Sequence, residues 1–304
     1  MQRAIITGVT GTIGMALLQE LINNNIEVLV ICREGSVRND RIPKHPLVTI
    51  KYCHLNQLAE LKNDTNQSYD VFYHFAWEGT TGAARNDMYL QNLNIRYALD
   101  AVHTAHRFGC AQFIGAGSQA EYGRVEGLLR ADTPTFPETG YGIAKLCAGQ
   151  MTREAAHQLG IGHIWTRILS VYGPYDGAQS MVMSTIHALQ SGTIPKFTKG
   201  EQQWDYLYSA DAARAFYLLG EYGVDGKIYV IGSGQARPLA EYIREIRDVI
   251  NKDASIELGA IPYSDRQVMY LCAEIKELEK DTGFQPSIEF TTGIKYISDS
   301  LSLG

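Results

Sequence analysis

The sequence predicts a doubly wound α/β fold, in which helices cover both faces of a parallel sheet, followed by a smaller C-terminal part of mixed α/β character. Short apolar runs alternate with segments of helical periodicity through the first half of the 304 residues, which is the order that β-α-β units require. A glycine-rich turn directly follows the first apolar run, and after residue 174 the alternation gives way to loops and shorter elements. These three observations set the expected fold class.

The individual elements follow from the same patterns. Strands are expected at 4–8, 27–32, 48–53, 70–76, 111–116 and 162–171. Helices are expected between them at 13–24, 87–107 and 140–159, and later near 180–191, before a hairpin or irregular connection at 192–203. We expect a larger unit at 1–174, a return to it by segment 205–235, and a smaller unit at 175–304.

Composition excludes several classes of partner. A net charge of −6 argues against nucleic acid, whose binders carry a basic excess. No apolar run approaches membrane-spanning length and the chain enters a strand without a cleavable signal, so we expect a cytoplasmic protein and no membrane partner. The five cysteines are scattered, and His103 and His106 lack further ligands at suitable spacing, so we expect neither disulfides nor a metal site.

The glycine-rich turn "TGVTGTIG" indicates a dinucleotide cofactor. It lies where the first expected strand turns into the first expected helix. Such a turn brings backbone close to a pyrophosphate, and the helix N-terminus offers free N–H groups to the anion. The expected contacts are Gly8, Gly11, Thr12, Ile13 and Gly14.

The end of the second expected strand bears on which cofactor is used. An acidic residue there bonds the ribose 2′-hydroxyl, whereas a basic one accommodates a 2′-phosphate. The sequence reads Ile31-Cys32-Arg33, with no carboxylate before Glu34. We therefore expect NADP(H) to be preferred, with Arg33 as the phosphate partner, while NAD(H) remains possible.

Two further stretches contain a serine, a tyrosine and a lysine. "GAGSQAEYG" at 115–123 places Ser118 at the exit of a buried strand, and "YGIAK" places Tyr141 and Lys145 on one face of a helix. Their order resembles the catalytic triad of the short-chain dehydrogenases/reductases, and the resemblance implies hydride-transfer chemistry. Hydride addition to a carbonyl leaves charge on oxygen and needs a proton. Tyr141 would supply the proton, Lys145 would lower the tyrosine pKa, and Ser118 would hydrogen-bond the oxygen. Turn chemistry alone is the plainer interpretation of Ser118.

The spacing G-x-x-G-x-x-G and the order serine, tyrosine, lysine resemble the short-chain dehydrogenase/reductase superfamily, in particular its extended, sugar-nucleotide branch. The resemblance covers nearly the whole chain, through "RILSVYGP" (167–174), "WDYLYSADAARAF" (204–216) and the closing "TGFQP" region. It implies a Rossmann-type fold, a nucleotide-sugar substrate held by the smaller domain, and a homodimer built from helices 87–107 and 140–159.

The resemblance also implies further site residues. Asn94 matches the structural asparagine that helps to hold the lysine through water. Phe75 and Ala76, in "HFAW" at 74–77, match the stretch whose backbone lines the cofactor. The pair His54 and Leu55 occupies the adenine position, where the branch usually has Asp-Ile or Asp-Leu.

Five residues are expected to contact substrate: Trp77, Arg85, Ser118, Ser170 and Arg266. Trp77 departs from the small residue of the branch and would pack on the substrate. Ser170 stands where many relatives carry an asparagine that contacts the diphosphate. Arg266 lies near the usual diphosphate arginine, and a guanidinium suits phosphate; Arg85, in the loop after Trp77, is a weaker candidate.

The residues after Ser118 reduce the number of candidate reactions. The 4,6-dehydratases of the branch carry Asp-Glu where this chain has Gln119 and Ala120, and the fucose-type epimerase-reductases carry Cys at the second position, so both reactions are disfavoured. Reduction of a 4-keto-6-deoxy nucleotide sugar and C4 epimerisation with retained NAD remain, and Arg33 favours the ketoreductase. A non-catalytic NADP-binding sensor is the third alternative.

Overall fold

The computed structural model describes residues 1–64, 67–265 and 267–302. Its first part contains β1 Arg3–Thr7, α1 Thr12–Asn23, β2 Glu27–Cys32, β3 Val48–Tyr52, β4 Val71–His74, α2 Met88–Arg107, β5 Gln112–Ser118, α3 Gly140–Leu159, β6 Gly162–Ile168 and β7 Ser170–Tyr172. The remainder contains α4 Met181–Gln190, β8 Gln203–Trp204, β9 Tyr206–Tyr208, α5 Ser209–Tyr222, β10 Ile228–Ile231, β11 Arg237–Pro238, α6 Leu239–Asn251, β12 Tyr270–Leu271, α7 Lys276–Thr282 and α8 Phe290–Ser302.

A seven-stranded sheet organises the molecule, in the order β10-β6-β5-β4-β1-β2-β3. Each neighbouring pair of these strands is parallel. The strand order reverses between β1 and β4, because the chain builds outward through β2 and β3 and then returns to the other side of β1. A crevice opens at the carboxyl ends of the strands at such a switch point, and ligands of doubly wound folds bind there. The predicted fold class is confirmed, and the fold is of the Rossmann type.

Both faces of the sheet are covered by helices. Ala4 and Ile6 of β1 belong to the core beneath α1 and α5, whereas Ile5 points into the core beneath α2. This alternation is what the two-residue period of a strand produces. The apolar side chains are therefore continuous along the strands, as expected for a parallel sheet buried on both sides.

Helix α3 begins and ends where its sequence requires. The hydroxyl of Thr139 accepts a hydrogen bond from the backbone of Gly142 at 3.1 Å, which caps the first turn. Gly160 ends the helix in the left-handed conformation, with φ at 70°. The cap fixes the register of the first helical turn, and this turn carries Tyr141.

The expected strand at 162–171 is interrupted, and the prediction of one continuous strand is wrong. The backbone of Leu169 donates to Ile231 of β10 at 2.9 Å, after which β7 leaves the main sheet and pairs with β9. Strand β5 is longer than expected, because it runs to Ser118 and pairs there with Ile168. The seventh strand, β10, comes from the segment expected to return to the larger unit.

The second part has its own core. Helix α6 packs between α4 and α8, and their apolar faces enclose an aromatic cluster of Tyr172, Tyr206, Tyr242 and Phe290. Strand β8 pairs with β11 and β12 in a small mixed sheet, and 192–202 is irregular. Within the described residues, no helix is long and apolar enough to cross a membrane.

Candidate active site

The glycine turn lies at the switch point of the sheet. Gly8 has φ at +75°, and a Cβ there would overlap the backbone of Phe75 and Ala76. A Cβ on Gly14 would overlap the carbonyl of Gly8. Above Gly11 the space is open, since a Cβ there would meet only the Gly8 oxygen at 3.7 Å. Two glycines therefore allow close packing, and the third leaves room for a ligand.

The first turn of α1 is ready to bind an anion. Its N-cap is Gly11, no side chain caps it, and no acidic residue lies in its first turn. The free N–H groups of Thr12 and Ile13 and the helix dipole therefore favour a negatively charged group. This chemistry and the open space above Gly11 fit the pyrophosphate of a dinucleotide.

The two strands that flank the switch point are tied at their ends. The hydroxyl of Thr7 and Nδ1 of His74 share a hydrogen bond of 2.8 Å. Burial lowers the pKa of His74 to about 3, so the imidazole is neutral. This contact fixes the strand ends from which Gly8 and Phe75 follow.

The remaining expected cofactor residues lie at the same edge of the sheet. Arg33 directly follows β2 and is exposed, and its carbonyl accepts a hydrogen bond from Asn39 at 2.9 Å. After β3, His54 is exposed at the start of a 3₁₀ turn and Leu55 is partly buried against the core. Phe75 and Ala76 follow β4. The predicted cofactor roles of these residues stay predictions.

Ser118 is the last residue of β5 and also the N-cap of a 3₁₀ turn over 119–121. Its hydroxyl oxygen accepts a hydrogen bond from the backbone of Ala120 at 3.2 Å. The hydroxyl proton is still available for donation, because this contact uses only a lone pair. The geometry therefore allows both the turn role and the substrate role expected for Ser118.

Tyr141 and Lys145 extend from the first turns of α3 toward the end of β5. Lys145 is buried, its Nζ donates to the carbonyl of Ala116 at 2.6 Å, and burial lowers its pKa to about 7. Burial raises the pKa of Tyr141, against which a hydrogen bond with Ser118 and the charge of Arg85 act. We expected Lys145 to lower the tyrosine pKa; in this structure the net shift is upward because burial outweighs the opposing contributions.

Trp77 lies between Lys145 and Tyr141, and Arg85 covers the Tyr141 ring. Lys145 Nζ lies 3.7 Å from the centroid of the Trp77 ring and 5.8 Å from that of Tyr141. Trp77 meets Tyr141 edge to face, with centroids 6.2 Å apart, and the Arg85 guanidinium covers Tyr141 at 4.3 Å. Trp77 and Arg85, which we expected to contact substrate, are thus in contact with the candidate catalytic residues.

The loop that carries Trp77 and Arg85 is held by two buried amides on α2. Gln91 accepts from the Trp77 indole at 2.9 Å and donates to the carbonyls of Gly79 and Ala84. Asn94 is 1% exposed and bonds the backbone N–H and carbonyl of Glu78, each at 2.9 Å. We expected Asn94 to support the lysine; its direct contacts are with this loop.

Two expected substrate residues remain. Ser170 begins β7, and its hydroxyl accepts a hydrogen bond from the Trp204 indole at 2.8 Å. Arg266 lies outside the described residues. The predicted substrate contacts of both stay predictions.

Sequence reasoning missed a buried polar group directly behind Ser118. Glu121 is fully buried and pairs with Arg167, whose Nε donates to it at 2.9 Å. Its carboxylate also accepts from the Trp165 indole at 3.0 Å and from the Ser118 backbone at 2.8 Å. The sequence contained one signal for it, the glycines of "GAGS", which leave room for these side chains.

Comparison with known proteins agrees with this architecture. The model of the NAD dependent epimerase/dehydratase family matches residues 4–232. The chain therefore belongs to this family, within the extended short-chain dehydrogenases/reductases, and it is an enzyme.

Individual relatives are distant but cover most of the chain. The CDP-abequose synthase of Salmonella typhimurium is 23% identical over 301 residues, which cover 96% of this chain and 95% of that protein. The dTDP-glucose 4,6-dehydratase of Neisseria meningitidis serogroup B is 23% identical over an alignment of 329 positions, gaps included. This alignment covers 97% of this chain and 92% of that protein. The solved structure of UDP-N-acetylglucosamine 4-epimerase from Methanobrevibacter ruminantium superposes with a TM-score of 0.88 at 20% identity, over 100% of this chain and 99% of that one. The structural likeness supports the fold.

Proposed function

We propose that this enzyme reduces the 4-keto group of a 4-keto-6-deoxy nucleotide sugar, with NADPH as the preferred cofactor. The observation that carries the proposal is the chemistry of the 3₁₀ turn after Ser118, which offers hydrogen-bond donors but no free acid or base. The similarity to a CDP-abequose synthase over 96% of the chain is compatible with the same class of substrate.

Removal of water from a sugar needs an acid and a base near the reacting carbons. Gln119 and Ala120, directly after Ser118, supply neither. Glu121 is the carboxylate of this turn, but it is fully buried and engaged by Arg167 and Trp165. Dehydration of substrate therefore has no acid–base pair in this turn.

Reduction, by contrast, needs the groups that the site brings together. A reduced nicotinamide supplies hydride to the carbonyl carbon when it is bound. The Tyr141 hydroxyl donates its proton to the carbonyl oxygen, which becomes the alcohol, and the Ser118 hydroxyl hydrogen-bonds the same oxygen. The resulting phenolate is stabilised by the positive charges of Arg85 and Lys145 and regains a proton from solvent.

The raised pKa of Tyr141 suits this direction of reaction. A reductase begins with a protonated tyrosine that gives its proton away. An epimerase begins by oxidising the substrate alcohol and needs a base at the same place. Burial of Tyr141 disfavours the phenolate, which suits a group that begins the reaction as a proton donor.

The proposed preference for NADPH rests on the end of β2. Arg33 is exposed there and is followed by a turn that carries Arg38 and Arg41. Arg41 reaches back over the glycine turn, since its Nη1 donates to the carbonyl of Thr10 at 3.2 Å. These exposed cations beside the glycine turn support a site for the 2′-phosphate of NADPH, which a basic residue at the end of the second strand accommodates.

The test mixes purified protein with NADPH or NADH and with 4-keto-6-deoxy sugars carrying CDP, dTDP, UDP or GDP, while nicotinamide absorbance is followed. Stoichiometric loss of NADPH supports the ketoreductase and identifies the nucleotide. Tyr141→Phe is the control, because it keeps the ring and removes the proton donor. No loss with any sugar, together with NAD(H) released on denaturation, overturns the proposal in favour of C4 epimerisation with retained NAD.

A further inference from the structure

A buried carboxylate lies directly behind the candidate catalytic serine. The Glu121 side chain accepts hydrogen bonds from Ser118 N at 2.8 Å, Trp165 Nε1 at 3.0 Å and Arg167 Nε at 2.9 Å. The side chains of Glu121 and Arg167 are 0% and 5% exposed. Because every one of these partners donates, they favour the ionised carboxylate, although burial raises the pKa of Glu121.

The local sequence is shaped around this carboxylate. A Cβ at Gly117 would overlap Glu121 Oε1 and the indole nitrogen of Trp165, and a Cβ at Gly115 would overlap the Trp165 ring. A Cβ at Gly149 of α3 would also overlap that ring. Two glycines of β5 and one of α3 thus leave the space in which the carboxylate and its indole partner lie.

The strand end that Glu121 binds also holds the candidate catalytic lysine. Ala116 and Ser118 are alternate residues of β5; the Ala116 carbonyl holds Lys145 Nζ at 2.6 Å, and the Ser118 N–H holds Glu121. Lys145 is 3% exposed, and the charge of Glu121 opposes the lowering of its pKa by burial. Glu121 and Lys145 therefore bind backbone groups two residues apart at the end of β5.

We propose that Glu121 is a positioning residue for the reaction proposed above, on which this inference rests: it anchors the Ser118 backbone at the strand end that also holds Lys145. Trp165 and Arg167 hold the carboxylate in place. Glu121 contacts neither the reacting atoms nor the cofactor, and it acts through Ser118 and Lys145.

A purely structural role is the competing explanation. Buried ion pairs often contribute little net stability, and an apolar pair of similar size can replace them, whereas removal of one partner leaves an unpaired charge. The double variant Glu121→Gln with Arg167→Gln removes both charges together. It separates the electrostatic effect on the site from the cost of an unpaired arginine.

The first experiment needs no substrate and no cofactor. In protein labelled with 13C at the glycine carbonyls and 15N at serine, NMR correlation of the two nuclei selects the amides of serines that follow glycine, among them Ser118. Separate 15N labelling of tryptophan resolves the indole of Trp165. Glu121→Gln is expected to shift both resonances, because a charge-assisted bond is lost at each. A Ser118 amide that stays in place while the Trp165 indole moves would overturn the anchoring role.

The second experiment measures the pH dependence of turnover with the best nucleotide sugar. The charge of Glu121 opposes the lowering of the Lys145 pKa. Turnover of Glu121→Gln relative to wild type should therefore fall more at pH 8 than at pH 6, by up to about a factor of ten for each unit by which the lysine pKa falls. The double variant should keep this change of profile while recovering thermal stability. Glu121→Asp, which keeps the charge but has a shorter side chain, should keep the wild-type profile at a lower maximal rate.

Glu245→Gln is the matched control. Glu245 also pairs with an arginine, Arg237, at 2.6 Å, but on α6 and 28% exposed. The Glu245→Gln variant should leave the Ser118 amide resonance and the pH profile of turnover unchanged. An unchanged pH profile in Glu121→Gln, with only its stability reduced, would show that the carboxylate is structural. If wild-type protein reduces no 4-keto sugar, the proposed function fails, and the resonance experiment still decides whether Glu121 anchors Ser118.

Discussion

The guanidinium of Arg85 lies 4.3 Å from the centroid of the Tyr141 ring. The loop that carries it is docked on the start of α3, where the Asn86 side chain accepts a hydrogen bond from the backbone of Gly140 at 3.0 Å. The charge of Arg85 acts against the upward shift of the Tyr141 pKa. Arg85 therefore favours the phenolate from the face of the ring.

Replacing Arg85 by Met should move the pH dependence of the reaction in a defined direction. Without the cation the pKa of Tyr141 rises, so oxidation of the alcohol product, which needs the phenolate, should begin at higher pH. The shift has this sign because the charge of Arg85 opposes the upward shift of the Tyr141 pKa. The measurement is the initial rate of NADP⁺ reduction between pH 6 and 10.

Two variants control this experiment. Arg85→Lys keeps the positive charge and should shift the profile by less than Arg85→Met does. Arg244→Met removes an exposed arginine of α6 and should leave the profile unchanged. If Arg85→Met changes only the KM for the sugar and not the pH profile, Arg85 is a substrate contact, as the sequence alone suggested.

The fold could be predicted from sequence because its determinants are local. Apart from the edge strand β3, the strands of the sheet up to β6 are largely apolar. Each covering helix shows its own periodicity, so the order of elements follows from neighbouring residues. The break at Leu169 could not be predicted, since it depends on a bond to the carbonyl of Ile231 in a distant segment.

The candidate site was predictable only in part, for a similar reason. Ser118, Tyr141 and Lys145 stand out because their motifs are short and contiguous. The burial of Glu121 depends on Arg167, which the chain supplies only after α3. The glycines of "GAGS" indicate a closely packed strand end, but they do not identify Arg167 and Trp165 as the partners of the carboxylate.

Gly8→Ala should abolish tight cofactor binding. At φ of +75° a Cβ is strained and would overlap the backbone after β4, so the turn must move away from the position that the pyrophosphate requires. NADPH titration followed by protein fluorescence measures the effect. Gly177→Ala is the matched control, because a Cβ there meets nothing within 4 Å; equal affinity in both variants would contradict the assigned role of the turn.

Arg33→Ala should discriminate between the two cofactors. A hydrogen bond to a charged group contributes about 1.5–3 kcal/mol, so NADPH should bind roughly 10- to 100-fold more weakly while NADH is little affected. Calorimetric titration with each cofactor measures the ratio. Lys44→Ala removes an exposed cation of the same segment and should leave the ratio unchanged. An equal loss for both cofactors, or none for either, would remove the basis for NADPH preference.

The outer faces of α2 and α3 should form the interface of a homodimer. Large apolar side chains remain exposed on these two mutually packed helices, including Tyr89 at 88%, Ile143 at 50% and Met151 at 45%. Exposed apolar surface is typical of interaction sites. Light scattering of the wild type should report twice the chain mass of 33.8 kDa. The double variant Tyr89→Glu with Ile143→Glu should have the single-chain mass, because burying like charges across a two-fold axis is unfavourable. Val37→Glu, at a position 86% exposed on the turn after β2, should remain dimeric. A wild-type protein of single-chain mass at working concentration would rule the dimer out.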